Sequence, residues 1–441
     1  MVTRPFDGHE LAAHIKKLAP PLPELTVFGM MLGSGPEIKH FMGALKSPAS
    51  FVYVAKRLTQ HMLDVIRHGR GMMLTNGNAL AGRLAKAGMD LDISVWLSSP
   101  VRKLVVEYDG VAGALVEHEG KTVRVNARRG VVLACGGFPH APTGKEHHSP
   151  SPESNTGDGL RLAEAVGGWV DATIPQAAAW VPTSITTRTD GSKGVMPHFI
   201  DHAKPGVIAV TVTGKRFTNE GNSHHDFVQA MVKACEGDSS VSAWLLCDHM
   251  ALRNYGLGCV APSPMPIGRH LRSGYLKRGA TVQELAKQIG IPAETLQATV
   301  AEFNAQASTG SDTSFGKGSK AYKRYQGDAL VTPNPCLGPL ENGPYYAIEL
   351  VVGDIGTFAG LMTDEKTRVL DASGSPIKGL HAVGNDAASV MGGNYPGAGI
   401  TLGPALTFGY IAGMQLSKAE VSVNVEIQVA RRESIAVRRG D

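Results

Sequence analysis

The residues best suited to chemistry lie in the glycine-rich run 384–403, which carries Gly384, Asn385, Asp386, Ser389, Tyr395, Gly399, Ile400 and Leu402. A short apolar run over 379–383 precedes it and reads as a buried strand; an apolar run over 404–414 follows and reads as a buried helix. Strand, glycine loop, helix is the local order for holding an anionic or electron-rich ligand. Glycines let the main chain approach closely, and a helix start offers unpaired N–H groups and a positive dipole end. The run is not a phosphate loop, because no Lys follows its last glycines and no G-x-G-x-x-G occurs. A second candidate is 130–138, an apolar strand that runs through Ala134 and Cys135 to Gly136 and Gly137, as suits a buried parallel strand whose end meets a ligand. A third is Asp158 in Asn-Thr-Gly-Asp-Gly, either an acceptor for ligand hydroxyls or a helix N-cap.

The elements that must position these groups follow from periodicity. A helix is expected over 51–67, with basic residues on its polar face. Strands are expected over 93–97, 101–107, 113–117 and 121–125, with turn signals at Asp109-Gly110 and Glu119-Gly120, which together predict a β-meander. Another strand is expected over 205–213. Thr281-Val-Gln-Glu284 is a capping-box signature opening a helix over 282–289, and a second helix is expected over 292–307. A strand at 343–348 and a hairpin around 371–374 lead back to the opening run. The stretch 25–38 imitates a dinucleotide fingerprint but fails it: Pro36 occupies the loop and the third glycine is missing. The end of the chain, 418–441, reads as a solvated tail with four arginines in its last eleven residues.

Composition excludes several classes. A net charge of +4 over 441 residues is too slight for a nucleic-acid binder. Five cysteines without a C-x-x-C pair indicate neither a zinc site nor a disulfide framework, and point to a reducing cytoplasm; Cys135 reads as core. No apolar run is long enough for a transmembrane segment. His224, His225 and Asp226 are adjacent and point apart, so no metal is expected there; His147-His148 reads as solvated loop.

The run 384–403, and within it Tyr395-Pro-Gly-Ala-Gly399 followed by Thr-Leu-Gly-Pro-Ala-Leu-Thr-Phe-Gly, resembles the C-terminal flavin-binding signature of the fumarate reductase/succinate dehydrogenase flavoproteins, above all the 3-ketosteroid dehydrogenases. Gly214-Lys-Arg-Phe-Thr-Asn-Glu220 and the 130–138 strand resemble further motifs of the same superfamily. The resemblance covers nearly everything from Pro5 to Met414. It implies an α/β fold with α+β elements: an incomplete Rossmann-like FAD-binding domain, 1–184 and 357–417, with an inserted α+β catalytic domain at 185–356. The N-terminal G-x-G-x-x-G unit of the family has no counterpart here.

The resemblance implies FAD as cofactor, with Ala134, Gly136, Gly137, Asp158, Gly384, Asn385, Asp386, Ser389, Gly399, Ile400 and Leu402 around it. It also implies that the Tyr395 phenol and the Gly399 N–H polarise a ketone oxygen while a base removes the α-proton. The motif places that base seven residues after Phe217, at His224, where fumarate reductases carry Arg and 3-ketosteroid dehydrogenases carry Tyr. Histidine, with an ordinary pKa of about 6.5, is a competent base near neutrality; a surface histidine beside His225 is the alternative. Tyr395 cannot clamp a carboxylate as the arginine fork of fumarate reductases does. The expected function is therefore dehydrogenation of a small apolar, 3-ketosteroid-like ketone in the cytoplasm, with an electron acceptor the sequence does not name. The alternatives are a flavin enzyme acting on another ketone or alkene, and a truncated remnant unable to hold FAD.

Overall fold

A computed structural model describes residues 4–33, 37, 40–41, 43–44, 47–141, 148–171 and 173–417. The expectations for Pro36, His147 and the tail 418–441 lie outside them. The chain forms two compact units, one of Met1–Val95, Ser184–Arg216 and Ala243–Leu350, the other of Trp96–Thr183, Phe217–Ser242 and Val351–Asp441.

In the first unit, the helix Pro48–His68 forms where its periodicity predicts, with Pro48 in its first turn and Gly69 at φ 74° closing it. The strand pair Phe6–Asp7 and Met73–Leu74 closes a small core of Phe6, Leu11, Ile15 and Leu74 beneath the helix Asn76–Asp90. The larger core lies under Val207–Val210, a fully buried strand antiparallel to Ser242–Cys247, with Val207 opposite Cys247 and Val210 opposite Trp244. The helices Val282–Ile289 and Ala293–Thr309 cover it, so that Leu285, Leu296 and Phe303 meet Ile208 and Leu246. The capping box forms: Thr281 accepts from the Glu284 N–H at 3.2 Å, and the Glu284 carboxylate accepts from the Ala280 N–H at 2.8 Å.

In the second unit, Val101–Glu107, Gly110–His118 and Lys121–Asn126 form the expected antiparallel meander. Its second turn places both Glu119 (φ 49°) and Gly120 (φ 74°) in the left-handed region, as a two-residue hairpin requires. The strand expected over 93–97 does not form. Its residues are exposed, and without a partner strand, β-branched and aromatic side chains do not make one. Of the strand expected over 130–138 only Val131–Leu133 forms. It runs parallel to Pro376–Ala382, with Val131 opposite Leu380 and Leu133 opposite Ala382. Among the described residues its other edge carries no strand. Leu104, Val116, Leu133, Leu160, Leu361 and Leu380 fill the core of this sheet.

Three expectations about exposure are corrected here. Cys135 is exposed, because the strand ends before it and the chain turns outward. His148 is tied to an edge rather than solvated: its N–H donates to Val352 O at 3.0 Å and it bridges to Gly353. The helix Leu402–Ser417 forms but is not buried; Ala412 alone is. Ala405 lies against Gly384 and Leu416 against Gly130. The opposite row, Leu402, Leu406, Tyr410 and Met414, is spaced by four and is 53%, 49%, 70% and 40% exposed.

Candidate active site

The second unit brings most of the candidate residues together. At its base, the fully buried Asp386 carboxylate accepts from the Cys135 N–H at 2.6 Å and the Gly137 N–H at 2.9 Å. This contact joins the two glycine-rich segments and uses both carboxylate oxygens on main chain. Asp386 therefore shapes the loop. Cys135 is exposed as a residue, but partial desolvation on its inner side, with the Asp386 carboxylate beside it, pushes its thiol up to about 11.

Gly136 and Gly137 have φ of 92° and 76°. A Cβ on Gly137 would lie 2.1 Å from Thr357 Oγ1 and 2.9 Å from Asn385 O, so only glycine fits. Asn385 is packed there, its main-chain oxygen accepting from Thr357 Oγ1 at 3.3 Å. Gly384 turns the chain at φ 64°. Ser389 is anchored by its N–H, which donates to Phe358 O at 2.8 Å, and its Oγ accepts from the Met391 N–H at 3.2 Å. Ile400 is buried with Ala179 and Phe358, which leaves its main chain for any ligand contact. Asp158 opens the helix Asp158–Glu164 as its first residue, after Gly157 in the cap position; its exposed carboxylate pairs with Arg161. Gly157 thus takes the N-cap position, and Asp158 stands exposed as the first residue of the helix.

Tyr395 packs on the cluster of Ala179, Phe358 and Ile400. His224 is buried at the start of the helix His224–Ala234, whose N-cap Ser223 accepts from the Asp226 N–H at 3.1 Å. That burial removes the surface-histidine alternative. The His224 ring meets the Tyr395 ring edge-on, with centroids 4.3 Å apart at 71°, and His225 faces Tyr395 at 6.0 Å and 23°. Sequence reasoning missed His225: its contacts are with residues far along the chain, which leave no local signal. Burial lowers its pKa.

Beyond Tyr395 the chain opens. Gly399 has φ 93°, and a Cβ at Gly397, Gly399 or Gly403 would meet nothing within 4 Å. These bare glycines sit where the helix Leu402–Ser417 begins, with Ala134 and Cys135 also exposed in the same unit. A ledge without side chains at a positive helix end fits the edge of a flat, electron-rich ring.

The first unit offers two further clusters. Ser184, His198 and Asp201 line up with Oγ–Nε2 2.8 Å and Nδ1–Oδ2 2.6 Å, but Ser184 and His198 are buried and Tyr275 OH lies 2.7 Å from Ser184 Oγ, so no substrate reaches the hydroxyl. A cavity of about 770 Å³ is bordered by Arg57, Arg70 and Arg188. Arg57 is paired with Glu37 and Arg188 with Glu24, while Arg70 donates to main-chain carbonyls.

Residues 4–402 match the model of the FAD binding domain family. The chain is 40% identical over 412 residues to 4-oxocyclohex-2-ene-1-carboxylate 5-dehydrogenase of Sinomonas cyclohexanicum, covering 91% of this chain and 70% of that protein. It is 36% identical over 362 residues to 3-oxosteroid 1-dehydrogenase of Mycobacterium tuberculosis, covering 77% of this chain and 63% of the relative. The chain belongs to this flavoprotein family. Its fold agrees with that of 3-ketosteroid delta1-dehydrogenase from Sterolibacterium denitrificans, solved with 1,4-androstadiene-3,17-dione, at a TM-score of 0.85 and 35% identity over 95% of this chain and 77% of that one. The family comprises FAD-dependent oxidoreductases, among them 3-oxosteroid dehydrogenases and fumarate reductase flavoproteins. Among the described residues of this flavoprotein, no helix is long and apolar enough to cross a membrane.

Proposed function

We propose that this flavoprotein dehydrogenates a 3-ketosteroid-like cyclic ketone, forming a C=C bond next to the carbonyl. The observation that carries the proposal is the meeting of the Tyr395 phenol with the buried His224 imidazole, 4.3 Å ring to ring, in the unit that also holds the bare Gly399. The main chain of Ala134, Gly136, Gly137, Gly384 and 399–402 would hold the flavin, and when bound FAD supplies the hydride acceptor. Tyr395 O–H and the Gly399 N–H donate to the ketone oxygen and stabilise the enolate charge. His224 takes the α-proton at an imidazole nitrogen. The burial of His224 and the part-burial of Tyr395 limit the water that could compete for that proton. Because the Sinomonas relative is named for a single-ring keto acid, a one-ring ketone is a second substrate to try.

The test is turnover with the FAD-loaded protein on a 3-ketosteroid and on 4-oxocyclohex-2-ene-1-carboxylate. Tyr395→Phe should lower kcat by roughly 10²–10³-fold, the usual cost of one oxyanion donor, with FAD still bound. Unchanged turnover in Tyr395→Phe would refute the phenol's role.

A further inference from the structure

Two histidines face one phenol in this site, and they are not equivalent. His224 begins its helix and meets the Tyr395 ring edge-on. His225, 1% exposed, presents a face to the same ring and also packs against Phe358 at 5.8 Å. The main-chain N–H of Trp180 donates to His225 Nδ1 at 3.1 Å. A nitrogen that accepts from a fixed amide holds a lone pair, so the neutral ring must carry its proton on Nε2, which is buried with no hydrogen-bond partner among the described residues. Protonating Nδ1 would set two N–H groups against each other; the Trp180 donor lies at a shift of register between Ala178 and Trp180, at the end of the stretch that pairs residue by residue to Thr183.

From this geometry we infer that His225 is a positioning residue: locked as the neutral Nε2–H imidazole by the Trp180 amide, it seats the Tyr395 phenol and leaves proton uptake to His224. Its part in turnover rests on the ketone chemistry proposed above; the lock itself does not. The titratable groups around it are His224 and Asp226 on its own helix and Tyr395 from the loop facing it. Burial opposes a charged ring more strongly than Asp226 and the Gly393 main chain favour one.

The test is ¹⁵N NMR of the histidine-labelled full chain, with the His225 signals assigned by their loss in His225→Asn. The expected result is a pyridine-like Nδ1 and a pyrrole-like Nε2 on His225 throughout about pH 5 to 8, the range in which ordinary histidines titrate. A His225 that titrates in that range, or that carries its proton on Nδ1, overturns the inference. With FAD-loaded protein, His225→Phe keeps a ring beside Tyr395 but leaves the Trp180 N–H without its acceptor. Its kcat should fall ~10–100-fold with KM nearly unchanged, as expected for a reacting group moved by a fraction of an ångström to 1 Å. His225→Asn, whose Oδ1 takes the place of Nδ1, should recover most of that loss. If Phe and Asn lose equally, the lock is not what positions the phenol. A locked His225 in a protein that turns over no ketone sinks the proposed function and leaves the lock standing.

Discussion

At the residue scale, the site rests on contacts that remove choices. Asp386 uses its carboxylate on two main-chain N–H groups, which explains why Gly136 and Gly137 hold left-handed geometry without support from a regular strand. Asp386→Ala should destabilise the protein by about 1–3 kcal/mol, the cost of buried donors left unsatisfied. Chemical denaturation would read it, and an unchanged midpoint would show that water replaces the carboxylate. Gly137→Ala should be worse, because its Cβ would fall 2.1 Å from Thr357 Oγ1 and its φ is unfavourable for alanine. Soluble yield and FAD retention after gel filtration measure that. None of this is legible in the sequence. Asp386 stands 251 and 249 positions from the amides it holds, and Trp180 stands 45 from His225. The residue types are visible, but their pairing is decided by the sheet that brings them together.

At the scale of elements, the readable parts are those whose signals are local. Thr281 and Glu284 cap their helix because both partners lie within one turn. Thr281→Ala should cost about 0.5–2 kcal/mol, measured as a shift of the thermal midpoint. Glu119-Gly120 makes its hairpin for the same reason. The unreadable parts are those decided by a neighbour. Residues 93–97 have strand composition without a partner, and the apolar content of Leu402–Ser417 specifies a helix without saying which of its faces is covered. His224 reads as exposed or buried with equal ease until its helix is seen packed.

On the scale of the whole molecule, acid should weaken the fold through its buried histidines. His225, His270 and His381 all have pKa values lowered by burial. For each, the unfolded chain binds a proton at a higher pH than the folded one does. Stability is therefore full above the unfolded value of about 6.5 and falls as pH drops below it. Denaturation midpoints measured from about pH 8 down to 5 should decline. The triple variant His225→Asn, His270→Asn, His381→Asn should flatten that decline, and an equally steep slope in the variant would assign it to other groups.

The outward row on Leu402–Ser417 has a practical consequence. Two leucines, a tyrosine and a methionine lie in line at every fourth position, in the same unit as a strand, Val131–Leu133, with one edge open among the described residues. Water wets such a strip poorly, and an unsatisfied sheet edge invites company. In dilute solution the sample should therefore scatter light more strongly as concentration rises, while Leu406→Glu with Met414→Lys should keep it clear.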